Sequence, residues 1–195
     1  MEEKALPPLT AKEFKQYNRI AELMDHFVSP DLFLVATCRS AGIDSFTQHN
    51  MFRESWRTME KACQEGKKPA RMSLGQFLSL ANQFCNGLQY HHDLEEAQVF
   101  PLLARKMPAF QKEYEMPSQH RQIHAGLVQL KRFVDECKSG EQDFRFSEMK
   151  RIMDTFGEVL WQHLDEEVQQ LGAENMRKYW TLAEMESILP SRGYY

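Results

Sequence analysis

Three pairs of metal-ligating residue types, each spaced i, i+4, follow a single histidine along this chain. They are His49, then His91 with Glu95, then His120 with His124, then His163 with Glu167. On an α-helix that spacing sets two side chains on one face, about one turn apart. The pattern therefore asks for four helices, each turning one or two ligands toward a common axis. Five of the seven histidines and two carboxylates take part. That donor set is enough for two metal ions with shared carboxylate bridges.

The punctuation of the chain is helical throughout. Thr10-x-x-Glu13, Ser45-x-x-Gln48 and Ser73-x-x-Gln76 each read as a capping box, in which two side chains satisfy orphan amide donors at a helix start. Pro117 suits the first turn of a helix, and Gly66 and Gly140 suit helix C-termini. No sustained alternation suggests strands. These signals predict a leading helix over 11–28, with Phe14, Tyr17, Ile20, Ala21, Met24 and Phe27 on one stripe. Four further helices are predicted over 46–65, 74–104, 118–138 and 146–171. Pro101 should bend or end the last turn of the second, and a helical tail over 173–195 should end at Pro190.

The predicted ligands lie inside apolar stripes. Phe84 and Leu88 precede His91, Phe156 and Leu160 precede His163, Phe52 and Trp56 follow His49, and Leu127 follows His124. A buried imidazole needs a partner, and five that converge are met more simply by metal than by five separate acceptors. A lone HxxxH or HxxxE means little; three in order after a lone histidine mean much more. His26 stands outside the pattern and reads as a helix-end histidine. Ferritin-like di-iron sites use Glu-x-x-His pairs, and no histidine here has Glu three residues before it. No cysteine joins the motifs, which argues against a structural zinc site. The His91-His92-Asp93-Leu94-Glu95-Glu96 segment holds two overlapping pairs, His91/Glu95 and His92/Glu96, and Asp165 and Glu166 adjoin Glu167.

A chain of 195 residues with net charge −4 can bury one core and gives no reason to expect nucleic acid or an anionic membrane as partner. No run of 18 apolar residues suggests a membrane span, and Met-Glu-Glu-Lys-Ala-Leu-Pro-Pro is no secretion signal. Four scattered cysteines without a CxxC favour a reducing, cytoplasmic setting.

With these residues in view, the chain resembles the hemerythrin-like, or HHE cation-binding, domain. The resemblance rests on Gln48-His49-Asn50-Met51-Phe52-Arg53, on His91 to Glu96 leading into Val99-Phe100-Pro101, on His120-Arg121-Gln122-Ile123-His124, and on His163-Leu164-Asp165-Glu166-Glu167. It covers about 45–170. It implies an all-α, up-down four-helix bundle over 41–172, with a one-helix N-terminal extension over 1–40 and a helical C-terminal tail over 173–195 packed on the bundle. It also implies two iron ions in a non-haem di-iron centre with an oxo or hydroxo bridge. His120, His124 and His163 would hold one iron, His49 and His91 the other, and Glu95 and Glu167 would bridge. The original oxygen carriers of the family place an aspartate five residues after the last histidine; Glu167 at i+4 departs from that step.

The resemblance implies dioxygen, or another small diatomic ligand, as partner, for binding, sensing or iron and redox homeostasis. It equally admits a di-iron oxidase or oxygenase acting on a small organic substrate or peroxide. It does not choose between binding and catalysis, and oligomeric state stays open. Bulky residues near His49 and His91, with Phe52, Phe84 and Leu88 the candidates, would favour small-ligand binding.

Overall fold

Every regular element of the computed structural model is helical; it describes residues 6–18, 47–111 and 115–188, and no strand occurs among them. The 19–28 half of the leading helix, Ser45 of one capping box, His26, Cys38 and Pro190 lie outside the described residues. Helix α1 covers 11–18, α2 Thr47–Glu65 and α3 Leu74–Leu94. A π-helical turn, Glu95–Val99, carries α3 into the short α4, Phe100–Leu103. After a 3-10 turn at Pro108–Phe110 come α5, Glu115–Ser139, α6, Phe146–Asp154, and α7, Gly157–Leu171. Two short helices follow: α8, Ala173–Tyr179, and α9, Leu182–Ile188.

The helix ends follow the local chemistry. At Ser73 both halves of the capping box form, Gln76 N to Ser73 Oγ at 3.1 Å and Ser73 N to Gln76 Oε1 at 2.7 Å. Thr10 and Glu13 make the same exchange before α1. Thr181 and Glu184 repeat it before α9, a box beyond the three expected. Gly66 and Gly140 close α2 and α5 with φ of 63° and 81°, a region that side-chain-bearing residues rarely enter.

Two expected helices are interrupted. The helix expected over 74–104 widens at Glu95–Val99, where the amide of Phe100 reaches back to the carbonyl of Glu95. Pro101 explains the widening. It has no amide to give Ala97, and its ring would crowd that carbonyl in an α-helical turn. The helix expected over 146–171 breaks between Asp154 and Gly157. There the amides of Thr155 and Phe156 bond three residues back, and Phe156 takes φ −137°. The break turns the Phe156 ring inward, so close to α5 that a Cβ on Gly126 would lie 2.2 Å from it.

Helix α2 packs on α3 and α6, and α5 packs on α3, α6 and α7, which closes a ring of helices. Apolar side chains fill it in two clusters. The larger includes Trp56, Phe77, Phe84, Leu88, Ile123, Phe156 and Leu160. The smaller joins Tyr17 of α1 with Phe100, Met107, Phe110, Met116, Leu171, Met176, Trp180 and Met185. Tyr17 Oη donates to the Trp180 carbonyl at 2.7 Å, and Lys106 pairs with Glu184 at 2.7 Å while lying over the Trp180 ring. The described ends of the chain are thus tied to each other and to the segment after α3.

Candidate metal centre

Between the two apolar clusters lies a buried polar layer. It sits where α2 and α5 begin and where α3 and α7 approach their ends, so each of these helices delivers ligand-type side chains to one level. His49, His91, His92, Glu95, His120, His163 and Glu167 are each at most 3 % exposed. One potential ligand group is His92, Glu95, His120 and His163; the other is His49, His91, Glu95 and Glu167. Within each group the ligand atoms lie within 4.8 Å of one another.

The carboxylates span the two groups. Glu95 Oε1 lies 3.0 Å from His91 Nε2, and its Oε2 lies 3.4 Å from His120 Nε2. Glu167 Oε2 lies 3.4 Å from both His49 Nε2 and His163 Nε2. Each carboxylate therefore faces one imidazole of the two-histidine side and one of the three-histidine side.

Six of the seven residues expected from the spacing meet here; His124 does not. It is exposed, and its Nδ1 hydrogen-bonds Gln89 Oε1 on α3, with Gln89 in turn donating to Asp93 at 2.7 Å. His92, not His124, lies with His120 and His163 in the buried group. Its ring stacks on His120 at a centroid distance of 3.8 Å, and Phe100 stacks on His120 at 4.8 Å. His120 is thus held between two rings. The signal for His92 was in the sequence. Glu95 stands i+4 from His91 and i+3 from His92, so both histidines neighbour the same carboxylate on one helix.

Hydrogen bonds behind the imidazoles set their tautomers. Nδ1 of His120 lies 3.0 Å from Glu96 Oε1, and Nδ1 of His163 lies 3.2 Å from Gln119 Oε1. Oxygen acceptors there keep the proton on Nδ1 and leave the Nε2 lone pairs facing inward. Gln119 is itself fixed by donating to Glu166 Oε2 at 2.6 Å, and Gln162 donates to the other Glu166 oxygen at 2.7 Å. Glu96 and Glu166, open alternatives in the sequence, support ligand-type residues from outside the layer. Sequence reasoning missed Gln119, which no ligand spacing marks.

Burial depresses the imidazole pKa values. His91 and His92 fall well below 6.5, burial first and neighbouring imidazoles second. His120 falls to about 3 and His163 to about 4 for the same leading reason. Burial is the largest single influence on Glu167 and acts to raise its pKa, but a hydrogen bond from His49 and the field of His49, His163 and His91 together outweigh it and hold the carboxylate below its usual range. At neutral pH His91, His92, His120 and His163 are therefore uncharged imidazoles beside a buried carboxylate.

A cation fits that arrangement. His49 Nε2 and His91 Nε2 are 3.1 Å apart, and His120 Nε2 and His163 Nε2 are 3.2 Å apart. Two nitrogens bonded at about 2.1 Å on perpendicular directions to one ion lie about 3 Å apart. His92 Nε2 is buried and meets no hydrogen-bond partner, a cost that an ion would remove. On the outer face Arg53 joins Asp165 at 2.5 Å, and Arg53 and Arg57 lie over Trp161. These contacts clamp α2 to α7 beside His49 and His163. Cys63 and Cys85 are buried thiols with pKa values raised by that burial to about 11 and about 12, which makes them poor metal ligands.

Comparison with known proteins gives the same answer. The chain is 28 % identical over 102 residues to "Dimeric xanthone biosynthesis cluster protein R11" of Cryptosporiopsis sp. (strain 8999), a match covering 48 % of this chain and 37 % of that protein. The chain thus spans well under two thirds of that relative's length. No solved structure matches it. The family model for the hemerythrin HHE cation-binding domain matches residues 46–173, a span that opens at α2, closes at α8 and takes in every residue of the buried layer. On that match, and with a cation-ready layer at its centre, the chain belongs to the hemerythrin HHE cation-binding family.

Proposed function

We propose that the chain is a non-haem di-iron protein that binds dioxygen or a related small ligand, built on an up-down four-helix bundle with its terminal segments covering the site end. The observation that carries this reading is the sharing of Glu95 and Glu167 between two histidine groups. Paired carboxylates that each face both halves suit two ions held side by side, and imidazole with carboxylate suits iron in both common oxidation states. His92, His120 and His163 would hold one ion, and His49 and His91 the other, with Glu95 and Glu167 between them. When bound, the ion pair supplies two electrons and a Lewis-acidic position for a small ligand.

The protein's own residues favour a small occupant. Phe52 packs on His91 at 5.4 Å, Phe84 lies 6.2 Å behind it, and Leu88 is fully buried. This apolar packing on the two-histidine side suits a small, uncharged ligand. A second reading, oxidation of a small organic substrate, draws on the relative whose name places it in a dimeric xanthone biosynthesis cluster.

One experiment separates the two. The protein is purified, its iron counted, reduced without oxygen, and then exposed to oxygen. A reversible optical change with two irons per chain supports ligand binding. Rapid irreversible oxidation with two irons per chain favours the oxidase reading. Failure to bind iron after reconstitution overturns both.

A further inference from the structure

Two imidazoles of the three-histidine side have acceptors behind them, and His91 of the two-histidine side has none. On the three-histidine side, the Nδ1 atoms of His120 and His163 are held by Glu96 and by the Gln119–Glu166 pair. His120 is further fixed between the rings of His92 and Phe100. On the two-histidine side, Nδ1 of His91 is buried and meets no hydrogen-bond acceptor. Its ring meets His49 edge-on and Phe52 at a tilt, both on α2.

An acceptor behind an imidazole does two things. It fixes the ring and its tautomer before the ion arrives, and it raises the basicity of the nitrogen that faces the ion. A carboxylate does the second more strongly than an amide, because its charge stabilises the positive charge an imidazole develops on binding a cation. The shared carboxylates do not create the same difference, since Glu95 and Glu167 each face both sides.

We infer that Glu96 and Gln119 are positioning residues that make the three-histidine half the high-affinity position, so that the two ions bind in sequence, that half first. The inference rests on the di-metal reading above. Glu96 lies one residue past the bridging Glu95, on the π-helical turn, and its side chain is 53 % exposed. The wide turn is what lets neighbouring glutamates serve the same imidazole, Glu95 from inside the layer and Glu96 from outside it. Gln119 does the corresponding work for His163 from α5, anchored by Glu166 on α7, so its hydrogen bonds cross between helices.

The test is calorimetric titration of metal-free protein with Fe(II) in the absence of oxygen, with bound iron counted separately. Wild-type protein should bind two ions in resolved steps. Loss of such a support costs about 10- to 100-fold in metal affinity. Glu96→Ala should weaken the first step toward the lower end of that range, because water screens an exposed carboxylate, and Gln119→Ala toward the upper end. Glu96→Gln keeps an acceptor oxygen and should recover most of the loss, which a merely structural role for the side chain would not predict. His91→Ala should abolish the second step and spare the first. The Glu96 site is half in solvent, so its variants should melt within a few degrees of wild type, and melting confirms that they fold. Two ions with an unchanged first step in Glu96→Ala would overturn this inference and leave the di-metal reading intact. Loss of the first step in His91→Ala would reverse the filling order and overturn it too. No iron bound by wild type would sink the di-metal reading itself.

Discussion

Acid should unfold the metal-free protein through its buried histidines. His91, His92, His120 and His163 are uncharged in the fold, with pKa values depressed well below 6.5 by burial, to about 3 for His120 and about 4 for His163. In the unfolded chain the same imidazoles titrate near 6.5. A base whose folded pKa is depressed is fully stabilising above 6.5. It loses that contribution as pH falls toward the folded pKa, because only the unfolded state takes up the proton. At pH 5.5 each imidazole has lost about 1.4 kcal/mol, one pKa unit's worth. Four of them amount to about 5 kcal/mol, comparable with the whole stability of a modest domain, about 5–15 kcal/mol. Glu167 does not offset this, since its depressed pKa matters only below the ordinary carboxylate range. The assay is thermal melting of chelator-treated protein, followed by circular dichroism at pH 7.5 and 5.5. At about 2–4 °C per kcal/mol for a chain of this size, the melting temperature should drop by roughly 10–20 °C. His92→Leu removes one of the four groups and should shrink the drop by about a quarter, and His124→Ala should leave it unchanged. A drop of only a few degrees, or one that His92→Leu does not reduce, would refute the premise that these rings are buried uncharged.

The remaining expectations concern assignment and packing. His92→Ala should lose about one iron per chain and His124→Ala none, measured by metal analysis after reconstitution; the opposite result would restore His124 as the ligand. Gly126→Ala places a methyl group 2.2 Å from the Phe156 ring and should cost about 1–3 kcal/mol, read from denaturant unfolding. An unchanged midpoint would mean that the break between α6 and α7 yields freely.

Much of the helical layout was legible because its signals are local. The Ser73 and Thr10 boxes, the glycines closing α2 and α5 and the i+4 ligand pairs depend on residues within one or two turns. The interruptions were less legible. Pro101 announced trouble in its turn, but a kink, an end and a π-helical widening all relieve the same missing amide. The break before Gly157 depends on Phe156 meeting Gly126 and on Trp56 lying 2.8 Å from where a Gly157 Cβ would be, contacts with helices distant in sequence. Gln119 was invisible for a related reason. Its role exists only because α7 sets His163 and Glu166 on either side of its amide.

The presence of His92 rather than His124 in the buried group follows from helix geometry. With about 100° per residue, His92 lies about 100° round α3 from His91, and Glu95 lies about 40° round, between them. A His-His-x-x-Glu segment therefore presents two imidazoles diverging on either side of one carboxylate. Such a segment suits two neighbouring ions better than one, because the imidazoles face different centres while the carboxylate reaches both. An HxxxH pair does the reverse, since its imidazoles share a face one turn apart and favour a common ion. Here the third imidazole of the larger group comes from α3, so α5 need supply only His120, and His124 is left to pair with Gln89 at the surface. His91 and His92 at the end of α3 and Glu95 at the start of the π-helical turn that continues it are thus held together on one continuous stretch of helix.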